Sequence, residues 1–140
     1  PIGPKSDYYR VFGAGYLVFL ESPLIGIGPA AYRELCPELL FGYEYFRCDN
    51  HPHNYYLQLL TETGLAGLVT GSMMILLIIK NVAEKSFSRR DNVVVATAFI
   101  IPLGLFFPFQ STADFFGQWN NIFMWSAVAL SMAMAETDIE

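Results

Sequence analysis

Residues 65–79 form an apolar stretch without a charged side chain, and this stretch constrains the fold more than any other part of the sequence. A helix needs roughly 20 apolar residues to cross the hydrocarbon core of a bilayer, so the stretch alone is short. The preceding turns, from residue 57 onward, supply the missing length. The sequence therefore predicts a membrane-spanning helix over about residues 57–79. This helix is predicted to begin near Asn50, a favoured N-cap, with Pro52 tolerated in its first turn.

The composition agrees with residence in a membrane. Hydrophobic residues make up 54% of the chain and charged residues 15%, whereas soluble domains average about 45–50% and about 25%. The formal net charge is −5, and the eight lysines and arginines form no cluster large enough to bind a phosphate backbone. Nucleic acid is therefore excluded as a partner, and membrane lipids are expected around the apolar segments.

Two further spans are predicted after a hydrophilic connection. Residues 80–92 form the connection, and the spans cover residues 93–109 and 122–135. Pro102 and Pro108 are expected to kink the first of these spans, because proline removes a helical hydrogen bond. The C-terminal part of the chain, from residue 57 to residue 140, is thus expected to hold three membrane helices.

The positive charges set the predicted orientation of these helices. The connection 80–92 has an excess of Lys and Arg, which is typical of cytoplasmic loops; the residues are Lys80, Lys85, Arg89 and Arg90. The polar region 1–56 and a short return loop, 111–121, then lie on the opposite face, and the tail 136–140 is cytoplasmic. The chain has no initiator Met and no visible signal peptide, so it is predicted to be the C-terminal piece of a longer polytopic protein.

The polar region 1–56 is predicted to contain short helices. Val11, Ala14 and Val18 have helical spacing and predict a helix over residues 7–20. Pro29 is placed to open a second short helix that ends near residue 35.

Two cysteines, Cys36 and Cys48, lie in the same polar region. A disulfide between them is possible if this region faces an oxidising compartment. Two free or buried thiols are the alternative, and the sequence does not separate these possibilities. No signature of a nucleophilic cysteine surrounds either residue.

A histidine pair marks the point where the polar region meets the apolar one. His51 and His53 precede Asn54 directly before the predicted span. An imidazole has an unperturbed pKa of about 6.5, so it can accept or donate a proton near neutral pH. A histidine in a polar loop is otherwise structural or solvated. Metal binding by the pair is a weak alternative, since no organised third ligand accompanies it, and we expect neither a metal nor another cofactor.

Three segments carry a resemblance to a known family. They are residues 22–29 (SPLIGIGP), residues 51–58 (HPHNYYLQ) and residues 61–67 (TETGLAG). In this order, after an arginine-bearing helix and before two more spans, the chain resembles the O-antigen ligase and O-antigen polymerase superfamily. The resemblance implies an all-α membrane fold of the GT-C-like glycosyltransferase type, with periplasmic helices over the bundle. It also implies that N-terminal helices of the same protein complete the site.

The resemblance further implies a reaction at the periplasmic face of the bacterial inner membrane. Such enzymes move a glycan from undecaprenyl pyrophosphate to an acceptor hydroxyl, with inversion and without a required metal. The acceptor is a lipid A core sugar in the ligases, a second lipid-linked glycan in the polymerases and a protein in related members. The ligase reading is slightly favoured here. A lipid flippase and a structural subunit of polysaccharide export are the non-enzyme alternatives.

The residue types fit this chemistry. A sugar hydroxyl is a poor nucleophile and needs a positioned base, for which His53 is the candidate by its place in the His-Asn motif. The departing pyrophosphate needs a permanent cation with a planar fork, which arginine supplies. Arg10 is the first candidate because it matches the arginine ahead of the Gly-Pro turn in relatives. Arg47 is the second candidate and Arg33 the third.

Five other residues have more than one interpretation. Asn54 either orients a sugar hydroxyl or caps the helix, and Tyr56 either stacks on a sugar ring or is an ordinary interfacial tyrosine. Asp114 orients His53, holds an acceptor or is a solvated carboxylate on the same face. His51 either assists directly or is structural. Glu62 bonds a neighbouring helix or touches substrate.

Overall fold

The computed structural model describes residues 6–88 and 93–136, and within these ranges the chain is helical and contains no strand. This confirms the all-α prediction. The helices, in chain order, are α1 (Asp7–Glu21), α2 (Tyr32–Leu39), α3 (Tyr55–Ser88), α4 (Val93–Ala98), α5 (Ile100–Leu105) and α6 (Gln118–Glu136).

The chain divides into two compact units. The first unit comprises the described residues up to Gly71 together with Pro108–Gly117, and the second comprises the described residues of Ser72–Phe107 and of α6. Helix α3 therefore begins in the first unit and ends in the second. The predicted site residues all belong to the first unit.

Helix α1 supplies one wall of the first unit. The Ser6 hydroxyl accepts a hydrogen bond from the Tyr9 backbone N–H at 3.2 Å and caps the helix. The apolar face of α1, with Val11, Ala14 and Val18 at helical spacing as predicted, is buried. This face packs with α2 around a small core. The buried members of this core are Ala14, Val18, Tyr32 and Cys36. The prediction of a helix over residues 7–20 is confirmed within one residue.

A disulfide joins α2 to the loop that follows it. Cys36 and Cys48 are bonded, with their Cα atoms 5.8 Å apart. Of the two possibilities that the sequence left open, the structure has the bonded one. Helix α2 begins at Tyr32 rather than at Pro29, because Ala30 has a φ of 61° and this left-handed backbone is incompatible with a helix.

Helix α3 contains a sharp break at Gly64, whose φ of 65° and ψ of −166° are not helical. In an unbroken helix the Leu65 N–H would donate to the Thr61 carbonyl, and the Ala66 N–H would donate to the Glu62 carbonyl. The break separates both pairs. A helix that loses two hydrogen bonds at a buried position needs replacement partners.

Residues 23–28 supply all four replacement partners, and we call their pairing with residues 61–66 the backbone junction. Its hydrogen bonds run from Leu65 N to Pro23 O (2.9 Å), from Ala66 N to Leu24 O (3.2 Å), from Ile27 N to Thr61 O (3.1 Å) and from Gly28 N to Glu62 O (2.9 Å). Each donor and each acceptor released by the break is therefore paired again.

Two glycines let the backbones approach this closely. A Cβ atom at Gly64 would lie 2.4 Å from the carbonyl carbon of Leu24, and one at Gly26 would lie 2.3 Å from that of Glu62. Both glycines also have positive φ, which glycine adopts without steric cost. The two glycine-bearing segments of the sequence, residues 22–29 and 61–67, are thus the two sides of one contact.

The start and the end of α3 differ from the prediction. The helix begins at Tyr55 rather than near Asn50, because His53 has a φ of 56° and cannot lie in a right-handed first turn. It continues to Ser88 and includes most of the predicted connection 80–92. Arg89 and Arg90 of that connection, and residues 137–140 of the predicted tail, lie outside the described residues.

Among the described helices, Tyr55–Ser88 is the one that is long and apolar enough to cross a membrane. The predicted span 93–109 is instead a shorter apolar segment, Val93–Leu105, which is interrupted at Phe99 between α4 and α5. The predicted span 122–135 lies within α6.

Proline explains the interruption in the second unit. Pro102 has no N–H, so the Ala98 carbonyl one turn earlier lacks its usual helical donor. The Ser131 hydroxyl of α6 donates to this carbonyl at 2.8 Å. Helix α5 ends at Leu105, before Pro108, because a proline disfavours the helical conformation of the residue that precedes it.

Replacing Gly64 by Ala is expected to destabilise the first unit by about 3 kcal/mol or more, because the new Cβ meets backbone and the φ is positive. Thermal unfolding of the purified protein in detergent measures the effect. Gly104→Ala is the matched control, since a Cβ at Gly104 meets no atom within 4 Å. Equal melting temperatures for the two variants would contradict the junction.

Candidate functional site

His53 is held by a carboxylate that the sequence analysis did not single out. Its Nε2 lies 3.1 Å from Asp49 Oδ2, and both side chains are partly buried. A carboxylate only accepts hydrogen bonds, so Nε2 carries the proton. The neutral ring then has its lone pair on Nδ1, which is the atom able to take a proton from another group.

The backbone around His53 is fixed from the side of the return loop. The Thr112 N–H donates to the His53 carbonyl at 3.0 Å. The Asn54 side-chain oxygen accepts from the N–H groups of Tyr56 and Leu57, at 3.1 Å each, and so caps α3. Its amide nitrogen donates to the Pro108 carbonyl at 2.8 Å. Of its two predicted readings, Asn54 has the capping geometry.

Two arginines lie beside this pair. Arg47 Nε donates to Asp49 Oδ1 at 2.8 Å, so one carboxylate bridges Arg47 and His53. Arg10 Nε donates to the Tyr45 carbonyl at 2.8 Å, and the Arg47 N–H donates to the Arg10 carbonyl at 3.4 Å. The structure therefore brings the first and second arginine candidates together, although they are far apart in sequence.

Asp7 lies between the two guanidinium groups. Its Oδ1 is 3.8 Å from one terminal nitrogen of Arg10 and 4.0 Å from one of Arg47. The Asp7 side chain is 73% exposed, and ion pairs of this kind are worth about 0–1 kcal/mol because water screens them. A stronger anion can therefore displace Asp7 from the arginines at small cost.

A cavity of 270 Å³ opens beside His53. It is lined by side chains from α1, from the loop before α3 and from the return loop: Asp7, Tyr8, Val11, Asp49, His53 and Ser111. This cavity, called the His53 cavity below, gives a ligand access to the imidazole.

His51 packs against His53, with ring centroids 4.3 Å apart. Its Nε2 donates to the Thr112 carbonyl at 3.1 Å. Burial lowers the pKa of His51 below its usual value, and the neighbouring His53 adds to this, while the Thr112 contact and nearby carboxylates oppose it. His51 is thus a mainly neutral support for the ring that faces the cavity.

The remaining predicted residues lie elsewhere in the first unit. Asp114 accepts hydrogen bonds from Gln58 Nε2 at 2.7 Å and from Arg33 at 3.4 Å, whereas the carboxylate at His53 Nε2 is that of Asp49. Arg33, the third arginine candidate, pairs with Asp114, whereas Arg10 and Arg47 share Asp7. The Tyr56 side chain is not among the described residues that line the His53 cavity.

Glu62 is buried, and its carboxylate caps the N-terminus of α2. Its carboxylate accepts from the N–H groups of Ala30 at 2.8 Å and Tyr32 at 3.2 Å, at the start of α2. Helix N-termini attract negative charge, and α2 has no side-chain cap of its own. Of its two readings, Glu62 has the structural one.

Asp49 and Asp7 are the site residues that sequence reasoning missed. Asp49 lies four residues before His53 and directly after Cys48, and this proximity to the histidine motif was the available signal. Within the described ranges, no group of three or more His, Cys, Asp or Glu side chains is placed to hold a metal ion. The two histidines therefore have no third ligand of these types there.

Comparison with known proteins gave no match to a family model, to a curated protein or to a solved structure.

The Cys36–Cys48 disulfide is expected to hold the segment that carries Arg47 and Asp49, because Cys48 lies between them in sequence. Replacing both cysteines by Ser is expected to lower the free energy of unfolding by about 3 kcal/mol. Denaturant titration measures this. Added dithiothreitol should destabilise the wild type and leave the double variant unchanged, whereas an equal response of both proteins would contradict a role for the disulfide.

The lowered pKa of His51 predicts an acid-sensitive contribution to stability. The unfolded histidine, with a pKa of about 6.5, binds a proton before the folded one does. This contribution is complete above about pH 6.5 and is lost as the pH falls through the folded pKa. As the pH is lowered from about 7.5 to about 5, on either side of the ordinary histidine pKa, the melting temperature should fall further for the wild type than for His51→Asn. Parallel curves would contradict the prediction.

Proposed function

We propose that the first unit forms the reaction face of an O-antigen ligase-like glycosyltransferase, which moves a glycan from undecaprenyl pyrophosphate to a sugar hydroxyl. The Asp49–His53 pair carries this proposal, because it presents an oriented base to a cavity next to two arginines. The motif resemblance supports the substrate class. A flippase or a structural export subunit requires no such base.

In the proposed reaction His53 acts as the general base. Its Nδ1 accepts the proton of the acceptor hydroxyl while the hydroxyl oxygen bonds to the anomeric carbon of the donor glycan. The bond from that carbon to the pyrophosphate breaks on the opposite side, which inverts the configuration. Asp49 keeps the proton on Nε2 in place and stabilises the imidazolium that forms, without taking the proton itself.

Arg10 and Arg47 receive the leaving group. The Nε of each arginine donates a hydrogen bond to a protein oxygen, which fixes the guanidinium. A terminal nitrogen of each guanidinium lies near Asp7. A pyrophosphate carries more charge than one carboxylate and can engage both planar forks, so it displaces the exposed Asp7. No step requires a metal ion or another cofactor.

The membrane assignment is part of the same proposal. Helix α3 is a candidate span, and several large apolar side chains on its C-terminal part are exposed, including Val69, Met73 and Leu76. We propose that lipid and the N-terminal helices of the same protein cover them in a polytopic, GT-C-like assembly in the bacterial inner membrane, with residues 1–56 periplasmic. The preferred acceptor is a lipid A core sugar; a second lipid-linked glycan or a protein acceptor would use the same site.

His53→Ala is expected to lower transfer by about 10²–10⁴-fold, because general bases contribute about that much. Asp49→Asn is expected to lower it substantially as well, since an amide can stabilise the wrong tautomer of the ring. The assay reconstitutes the protein in liposomes with a defined undecaprenyl-pyrophosphate glycan and either lipid A core or a second lipid-linked glycan.

Glu44→Gln is the matched control for Asp49→Asn, because it neutralises an exposed carboxylate in the same loop. Its rate should equal that of the wild type. Undiminished transfer by a folded His53→Ala variant would refute the base assignment, and the acceptor that is extended identifies the enzyme as ligase or polymerase.

A further inference from the structure

A second cavity of 290 Å³ adjoins the His53 cavity. It is lined by Tyr8, Tyr9, Phe12, Phe109, Gln110 and Ser111, and we call it the aromatic cleft. Tyr8 and Ser111 line both cavities, so the two share a wall. The two cavities are therefore neighbours, and an extended ligand that occupied both would contact Tyr8 and Ser111.

Both sides of the aromatic cleft are fixed by the fold. The first turns of α1 form one side, and the helix is capped by Ser6 and packed on the core through Ala14 and Val18. Residues 109–111 form the other side. Asn54 holds this segment through the carbonyls of Pro108 at 2.8 Å and Gln110 at 3.4 Å. The same asparagine caps α3 next to His53, so cleft and base share one anchor.

The lining combines aromatic faces with an amide and a hydroxyl. Aromatic rings offer large flat surfaces, and the few polar groups in such a pocket fix the orientation of a ligand. A pyranose ring has a complementary character, with C–H groups on its faces and hydroxyls at its edge. The cleft volume suits one or two such rings rather than a large ligand.

The geometry of the proposed reaction decides which sugar reaches the cleft. The acceptor hydroxyl must come within about 3 Å of His53 Nδ1, so the ring that carries it occupies the His53 cavity. Arg10 and Arg47, which would hold the pyrophosphate end of the donor, are not among the described residues lining either cavity. A pyrophosphate bound by Arg10 and Arg47 would lie outside both cavities, which leaves the aromatic cleft for the acceptor.

We propose that the aromatic cleft is a subsite for the second sugar ring of the acceptor glycan, with Tyr9 and Phe12 stacking on that ring. The inference rests on the proposed transferase function. It makes the acceptor at least a disaccharide for efficient transfer, since a single ring would fill the His53 cavity alone. Gln110 and Ser111 supply the polar contacts at the ring edge.

The test compares acceptors of one and two rings with the same reacting sugar. For the wild type in liposomes, the KM of the two-ring acceptor should be about 10-fold lower, as expected for roughly one well-placed aromatic contact. Tyr9→Ala combined with Phe12→Ala should remove this difference by raising the KM of the two-ring acceptor. Tyr16→Ala, which alters an exposed tyrosine of α1 outside the cleft, is the control and should preserve it.

Other results would overturn the subsite. A higher KM for the donor with an unchanged acceptor preference would place donor glycan or polyprenyl chain in the cleft and overturn the proposal. An acceptor preference that survives the double variant would overturn it as well. If the wild type transfers nothing, the proposed function fails instead, and saturation-transfer NMR of the free disaccharide then tests the cleft. Binding that is lost in the double variant supports the subsite, and equal binding or none rejects it.

Discussion

The exchange of hydrogen bonds at Gly64 is the constraint on which the first unit depends. A broken helix exposes two carbonyls and two N–H groups, and burying them unpaired would be costly. The segment 23–28 pairs with all four, and this is possible because Gly26 and Gly64 carry no Cβ. Once the segment is held there, Ala30 and Tyr32 reach the Glu62 carboxylate, and α2 starts at a fixed place.

The site is built outward from this framework. Helix α2 carries Cys36, whose disulfide fixes Cys48 and with it the segment of Arg47 and Asp49. Asp49 then reaches the His53 ring, and the return loop holds the His53 backbone. A disulfide, a helix cap and the backbone junction thus fix the backbone positions of Arg47, Asp49 and His53. The contact between the Asp49 and His53 side chains is then made from rigid backbone on both sides. The proposed base requires such rigidity to keep one tautomer.

Local patterns in the sequence predicted the features that depend on local physics. The spacing of Val11, Ala14 and Val18 predicted α1, and the uncharged run in residues 65–79 predicted the central part of α3. The sequence did not predict the break at Gly64 or the left-handed His53, because both depend on partners far away in the chain. It placed the helix start at Asn50, whereas Asn54 has the capping bonds.

The same distinction applies to the site. Sequence reasoning named His53, Arg10 and Arg47, which the fold brings together, on the basis of residue chemistry and motif resemblance. It assigned Asp114 a possible role beside His53, but that carboxylate is bound by Gln58 and Arg33. Asp49 was missed although it lies four residues before His53, because an aspartate in a mixed loop does not by itself reveal its partner. The disulfide and the left-handed turn at His53 place it beside the ring.

Chemical rescue of His53→Gly measures whether His53 acts as the base. Glycine adopts the positive φ of this position without strain, so the variant is expected to keep the backbone conformation. Removal of the imidazole enlarges the His53 cavity and leaves space for free imidazole. General-base catalysis by His53 predicts that the variant transfers glycan only when imidazole is added, at a rate that rises with the concentration of neutral imidazole. Transfer at the wild-type rate without imidazole would contradict it.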